Sequence, residues 1–403
     1  VPTSKRPDAA LPASRTAESA QAVRPVPRIG QLEIVTVVLA ACLPLRPAIG
    51  GLPLSTIAAM GLVVVAAFRR PAVGRRVPVL VGLGSLALVG WLVVGSAAGG
   101  GLDVRRAGSL VILLALGWVL AQGRLHRQSV FVGLGAGWFG GIAHAVLTRD
   151  ESTYDGRITG YLGDPNGAGF IIITLGCVLI AGARDSGRRL WPIWLVTVAA
   201  TALTVSRTSV FALGAVTVWA LIAPRLNRLV SVLVLAVGWP VYGWLVDLAQ
   251  ATGFFAERAG SDDLRARLAV VETHMVDQAG LRGFGIGSAR AVVDGAPLWF
   301  HNSYWALRVE GGLVAFALLF VCLIGLAWSA HRVPRERRNA WYESAVLAGL
   351  ICSVNIGFSL TSVTMAVAVG LYLDYWRRTV DPPAPTETGD EPAAHARGWP
   401  VPR

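Results

Sequence analysis

The stretch His301-Asn302-Ser303-Tyr304-Trp305-Ala306-Leu307-Arg308-Val309-Glu310-Gly311-Gly312 sets a base, a guanidinium and a carboxylate at the mouth of an apolar segment. Ionisable groups are costly at such a boundary and call for a reason. A helix cap and an arginine reaching for the membrane surface would supply one. Chemistry at that surface would supply another. Neutral imidazole can take a proton near pH 7, which suits His301 to work as a general base. On a helix, Arg308 returns close to the same face two turns on, while Glu310 points elsewhere and reads as a structural partner. Asn302 and Ser303 suit capping.

Arginines form a second constellation. Arg157 stands in ESTYDGRITGYLGDPN, Arg207 in the short TVSRTS turn between two apolar segments, and Arg265 in a long polar stretch. Ion pairs with Asp155, Asp164 or Asp262 would satisfy them singly. A phosphate or pyrophosphate would satisfy the set, because guanidinium pairs bidentately with phosphate oxygens. Arg105 and Arg106, following the glycines at 99–101 and Asp103, are auxiliary candidates. Asp164-Pro165-Asn166 has the form of a helix start, with Asp as N-cap and Pro at the first position. The same start, Asn166 included, can help bind an anionic or sugar group. Gly283-Phe284-Gly285-Ile286-Gly287 follows no strand and opens no βαβ unit, which excludes a dinucleotide site and leaves a flexible or tight-turn linker. No carboxylate pair or His/Cys cluster has metal-ligand spacing, so neither a metal nor another cofactor is expected.

The elements that must position these residues are membrane helices. Of 403 residues, 54% are hydrophobic and only 15% charged. The net charge of +12 is almost all arginine. In so apolar a chain that charge sets topology, and a nucleic-acid partner is not implied. Cys42, Cys177, Cys322 and Cys352 lie in apolar runs and read as small core residues. Residues 1–31 and 377–403, rich in Pro and Ala, read as disordered cytoplasmic tails. Between them lie twelve apolar segments, at about 32–48, 51–67, 77–96, 107–123, 129–147, 165–182, 190–205, 208–223, 229–248, 303–328, 340–358 and 361–376. The chain thus divides into spans one to nine (32–248), a large loop (249–302) and spans ten to twelve (303–376). Within the loop, SDDLRARLAVVETHMVDQA at 261–279 reads as an amphipathic helix, with Leu264, Leu268, Val271 and Met275 at helical spacing.

With both tails inside, the tails and the loops near 70, 125, 186, 226 and 335 carry 24 of the 36 Lys and Arg residues. This is the positive-inside pattern of a multi-pass protein of the cytoplasmic membrane. It puts Arg157, Arg207, Arg265 and His301 together on the outer face.

The order of these motifs resembles the O-antigen ligase/O-antigen polymerase superfamily of bacterial membrane glycosyltransferases. The residues that carry the resemblance are RITGYLGDPNGAG, TVSRTSVFALG, DDLRARLAVV, LRGFGIGS and HNSYWALRVEGGL. One departure is Thr208-Ser209 after Arg207, bulkier than the small residues of the family pattern. The resemblance implies a GT-C-like, all-α polytopic fold with a large extracytoplasmic loop between helices 9 and 10. It implies transfer of a glycan from an undecaprenyl (polyprenyl) pyrophosphate carrier to a hydroxyl of a glycan, lipid or protein acceptor, inverting and metal-independent. In that scheme Arg207 and Arg265 bind the pyrophosphate, Arg157 assists, and His301 activates the acceptor. A polymerase of the same superfamily and a twelve-helix transporter are the rival expectations. A transporter gathers ionisable groups near the bilayer midplane, whereas here they collect at one surface.

Overall fold

The computed structural model describes residues 30, 48–49, 52–71, 77–99, 101–152, 154, 156–227, 230–231, 233–234, 241 and 259–380. A two-residue strand pair, β1 (Ala48–Ile49) and β2 (Leu52–Pro53), leads into α1 (Leu54–Ala67). Then follow α2 (Val79–Ala98), α3 (Val104–Ala121), α4 (Arg127–Leu147), α5 (Pro165–Asp185), α6 (Trp191–Thr204) and α7 (Arg207–Ile222). The later part holds α8 (Ala259–Gln278), the hairpin β3 (Arg290–Val293) and β4 (Ala296–Trp299), α9 (Ser303–Ala330), α10 (Ala340–Cys352) and α11 (Val363–Val380). The protein is largely helical. Among the described residues, six helices, starting at Val79, Val104, Arg127, Pro165, Arg207 and Ser303, are long and apolar enough to cross a membrane. Each apolar segment read from the sequence overlaps a described helix, except 32–48 and 229–248, which lie largely outside the described residues. The tail at 1–31, Gly30 apart, lies outside them too, as do residues 381–403.

The helix starts are written in the sequence. Asp164 caps α5, accepting the N–H groups of Asn166 at 2.9 Å and Gly167 at 3.2 Å, with Pro165 in the first turn. Ser206 caps α7 and Asn302 caps α9. α5 is buried on almost every side from Pro165 to Ala183, packed among α4, α6, α7, α10 and α11. A helix apolar all round belongs at the centre of a bundle.

The two ends of the bundle differ. At the end of α5, Asp185 accepts from Asn339 at 2.7 Å and from Tyr342 at 3.0 Å, and pairs with Arg127. Asp374 joins Arg377 and Arg378, and Arg338 pairs with Glu343 at 2.8 Å. The basic loops therefore meet at one end, held by carboxylates. Arg377 and Arg378 belong to α11, which runs to Val380, so the expected tail begins later than residue 377.

At the other end, α9 is broken at Gly312, whose φ is 70°. The break frees backbone groups that must find partners away from water. Residues 280–285 supply them. Phe284 N–H donates to the Val309 carbonyl at 2.8 Å and Gly285 N–H to the Glu310 carbonyl at 3.0 Å. Leu313 N–H donates to the Gly280 carbonyl at 3.1 Å, and Val314 N–H to the Leu281 carbonyl at 3.3 Å. Trp91 Nε1 takes the Gly311 carbonyl at 2.8 Å. The glycine-rich run, expected as a linker, is a backbone clamp in a helix break. Its glycines serve close approach: a Cβ on Gly283 would lie 2.5 Å from the Val309 carbonyl oxygen.

Candidate functional site

α5, α7 and α9 all begin at this second end, and their capped starts are tied together. Ser206 Oγ donates to Asn166 Oδ1 at 2.8 Å, joining the starts of α7 and α5. Ser303 N–H donates to the Ser353 carbonyl at 2.8 Å, and Asn355 Nδ2 donates to Thr208 Oγ1 at 2.9 Å. The segment 353–362 between α10 and α11 thus bridges α9 to α7. It is irregular, although the sequence suggested a span running to 358. Phe358 lies against Gly167, and the Phe300 carbonyl against Gly357. Three helix N-termini, each a partial positive charge, so gather in one place.

His301 stands at the start of α9, open to solvent. Arg265 on α8 and Asp164 at the start of α5 both act on it electrostatically. The Trp299 backbone carbonyl also acts on its ring, favouring the protonated form, and is the weakest of these influences. Desolvation among the packed loops, with Arg265 second, lowers its pKa below the usual 6.5, so the imidazole is neutral at pH 7. Arg207 is the first residue of α7 and is buried, at 8% exposure. His301, Arg265, Arg207 and Asn166 therefore lie on elements that meet at one end, with Asn302 as the cap beside them.

Arg157 is held differently. Its Nε donates to the Thr204 carbonyl at 2.8 Å, and Ile158 N–H donates to the Leu203 carbonyl at 3.2 Å. Arg157 thus caps the end of α6, where the chain turns through Val205 in the left-handed region with φ of 48°. Arg105 and Arg106 open α3 and line a neighbouring cavity of about 380 Å³ with Arg290, Trp299 and Phe358. Arg106 pairs with Glu310 at 2.8 Å, and the guanidinium of Arg290 stacks 4.1 Å from the Trp299 ring centre. An apolar cleft of about 230 Å³ runs between α2, α3, α9 and α11 on the other side of Arg106. Among the described residues, no three His, Cys, Asp or Glu side chains group as metal ligands.

Three features escaped the sequence. Asp294-Gly295, with φ of 52° and 80°, makes the two-residue turn of the β3–β4 hairpin, a pairing that Asp-Gly signals. Asn355 was hidden inside an assumed span. Glu272 falls in the apolar stripe of α8 and is 3% exposed, with Oε1 accepting the His301 backbone N–H at 2.6 Å. Burial pushes its carboxyl up to about 7, a shift that the His301 N–H partly offsets. A carboxylate inside an otherwise apolar helix face was the readable signal.

Comparison with known proteins gives no match, neither to a family model nor to a curated protein.

Proposed function

We propose that this protein is an O-antigen ligase-like glycosyltransferase that moves a glycan from a polyprenyl pyrophosphate to an acceptor hydroxyl at the outer face of the cytoplasmic membrane. The observation that carries this reading is the meeting of a neutral His301 with Arg265 and the capped starts of α5 and α7, the latter opening on Arg207. In the reading, the chain crosses the membrane twelve times, with both tails in the cytoplasm and the basic, carboxylate-held end of the bundle inside.

The step is a single displacement. The acceptor oxygen attacks the anomeric carbon, the bond from that carbon to the phosphate oxygen breaks, and configuration inverts. The acceptor proton passes to the free ring nitrogen of His301. The electron pair leaves with the pyrophosphate, whose growing charge Arg207, Arg265 and the helix N-termini stabilise. Arg157 acts by shaping the turn before Ser206. The apolar cleft would take part of the carrier's hydrocarbon chain. Ligase and polymerase differ only in the acceptor.

The test is to incubate purified protein with a polyprenyl-pyrophosphate-linked glycan and candidate acceptors. One added glycan supports a ligase and a ladder a polymerase. No transfer, with uptake of substrate into vesicles, would replace the enzyme by a transporter.

A further inference from the structure

We propose that Glu272 is a positioning residue for His301: its carboxylate, sunk between α8 and the start of α9, holds the His301 backbone so that the imidazole faces the reacting hydroxyl. The inference rests on the transferase reading above.

The packing of α8 makes the case. Leu268, Val271 and Met275 press on Ala291, Val293, Phe300 and Val309, so this helix face is covered by the hairpin and the first turns of α9. Glu272 lies on that covered face, one turn from Leu268. A leucine or methionine would pack there at no electrostatic cost, whereas a carboxyl must be desolvated. Among the described residues it has no cation within ion-pair distance. Its hydrogen bond goes to the main chain of His301, not to a structural partner elsewhere.

Glu272 fixes the backbone nitrogen from which the His301 side chain departs, and the Trp299 carbonyl at the end of β4 acts on the ring. Arg265 sits two turns before Glu272 on the same helix, so α8 carries both the anchor and a cation that acts on the base. The charged groups around the pair are Arg265 from α8 and Asp164 from the start of α5. A carboxyl titrating near 7 makes the anchor charge-assisted above neutrality and weaker below it.

The experiment uses the full chain in nanodiscs with Glu272→Gln and Glu272→Ala. The acylation rate of His301 by diethyl pyrocarbonate is followed against pH by peptide mass spectrometry, with exposed His274 as internal reference. Transfer kcat and KM are measured alongside. Glu272→Ala is expected to change the His301 acylation rate several-fold relative to His274. It should lower kcat by roughly 10- to 100-fold, with KM near wild type, the size expected of a misplaced catalytic group. Glu272→Gln, which keeps an acceptor oxygen, is expected to restore most of kcat while flattening the acylation profile near pH 7. A Glu272→Ala protein with the wild-type acylation profile overturns the proposal, as does Glu272→Gln behaving no better than Glu272→Ala. If no form of the protein transfers glycan yet the acylation profiles shift as described, the transferase reading fails and the tether stands.

Discussion

Arg106 on α3 and Glu310 on α9 form an ion pair at 2.8 Å, and the second Glu310 oxygen, 3.1 Å from Arg106 Nη2, completes a fork. Glu310 also accepts the Gly287 N–H at 3.1 Å. The carboxylate is 3% exposed, so it links α3, the glycine-rich clamp and the broken α9 at a single buried point. Arg106 is thereby committed to structure, whereas Arg105 has no carboxylate partner among the described residues.

Removing Arg106 should strand a buried carboxylate, and removing Glu310 should leave a partly buried guanidinium without its partner. Glu310→Gln and Arg106→Ala are each expected to cost about 3 kcal/mol of stability, because an unpaired buried ion is far worse than none. The double variant should recover part of that loss. Thermal unfolding of the four proteins of the cycle in detergent measures it, and strictly additive losses would show that the two side chains do not act as a pair.

Gly312 makes the sharpest backbone prediction. A Cβ there would sit 2.1 Å from the Leu281 carbonyl oxygen, in a residue with φ of 70°. Gly312→Ala should therefore expel the 280–285 clamp and abolish accumulation of folded protein. Gly295→Ala is the control: its φ is 80°, but nothing lies within 4 Å of the added carbon. That change should cost only the strain of the left-handed conformation, about 1 kcal/mol. Equal expression of both variants, judged by size-exclusion profile, would contradict the clamp.

What the sequence reveals here depends on range. Caps are local, so Asp164-Pro165-Asn166 and Asn302 could be read from neighbouring residues, and the structure has both at work. The amphipathic stripe of 261–279 is likewise local, and α8 covers it. The clamp could not be read, because its partners lie some 25 to 33 residues apart and bond through the main chain, which carries no side-chain signature. The irregular 353–362 turn was lost for a different reason: Ile356, Phe358 and Leu360 keep the segment apolar enough to pass for a span. Arg157 stands out in the sequence, but its bond to the Thr204 carbonyl depends on how α6 ends in space.

His301→Ala should leave folding intact and reduce transfer by roughly 10²- to 10⁴-fold, the contribution of a positioned general base. Because the His301 pKa lies below its usual 6.5, the neutral, proton-accepting form predominates throughout the physiological range. Activity should therefore hold steady through neutrality and fall only as pH drops below the ordinary histidine range. Arg265→Gln removes a cation that helps depress that pKa, so the acid limb of its kcat profile should move toward higher pH. The pH dependence of kcat in the wild type and Arg265→Gln checks both statements, and an unmoved limb would separate Arg265 from His301.

Glu272 makes the last prediction, and its sign can be worked through. Its carboxyl sits near 7 when folded against an ordinary 4.5 when unfolded. Between those values the folded protein holds a proton that the unfolded chain has released. Raising pH through that window strips the proton and lowers stability, because stability falls with pH wherever the native state binds more protons. Below about 4.5 both states are protonated, and above about 7 both are ionised, so the dependence on this group levels off at each end. Glu272→Gln has nothing to lose. It should match the wild type at pH 5 and unfold at a higher temperature than the wild type at pH 8, as read from thermal melts in the same detergent. Above neutrality the ionised carboxyl thus lowers stability relative to glutamine, so its place beside the His301 backbone is not explained by folding stability.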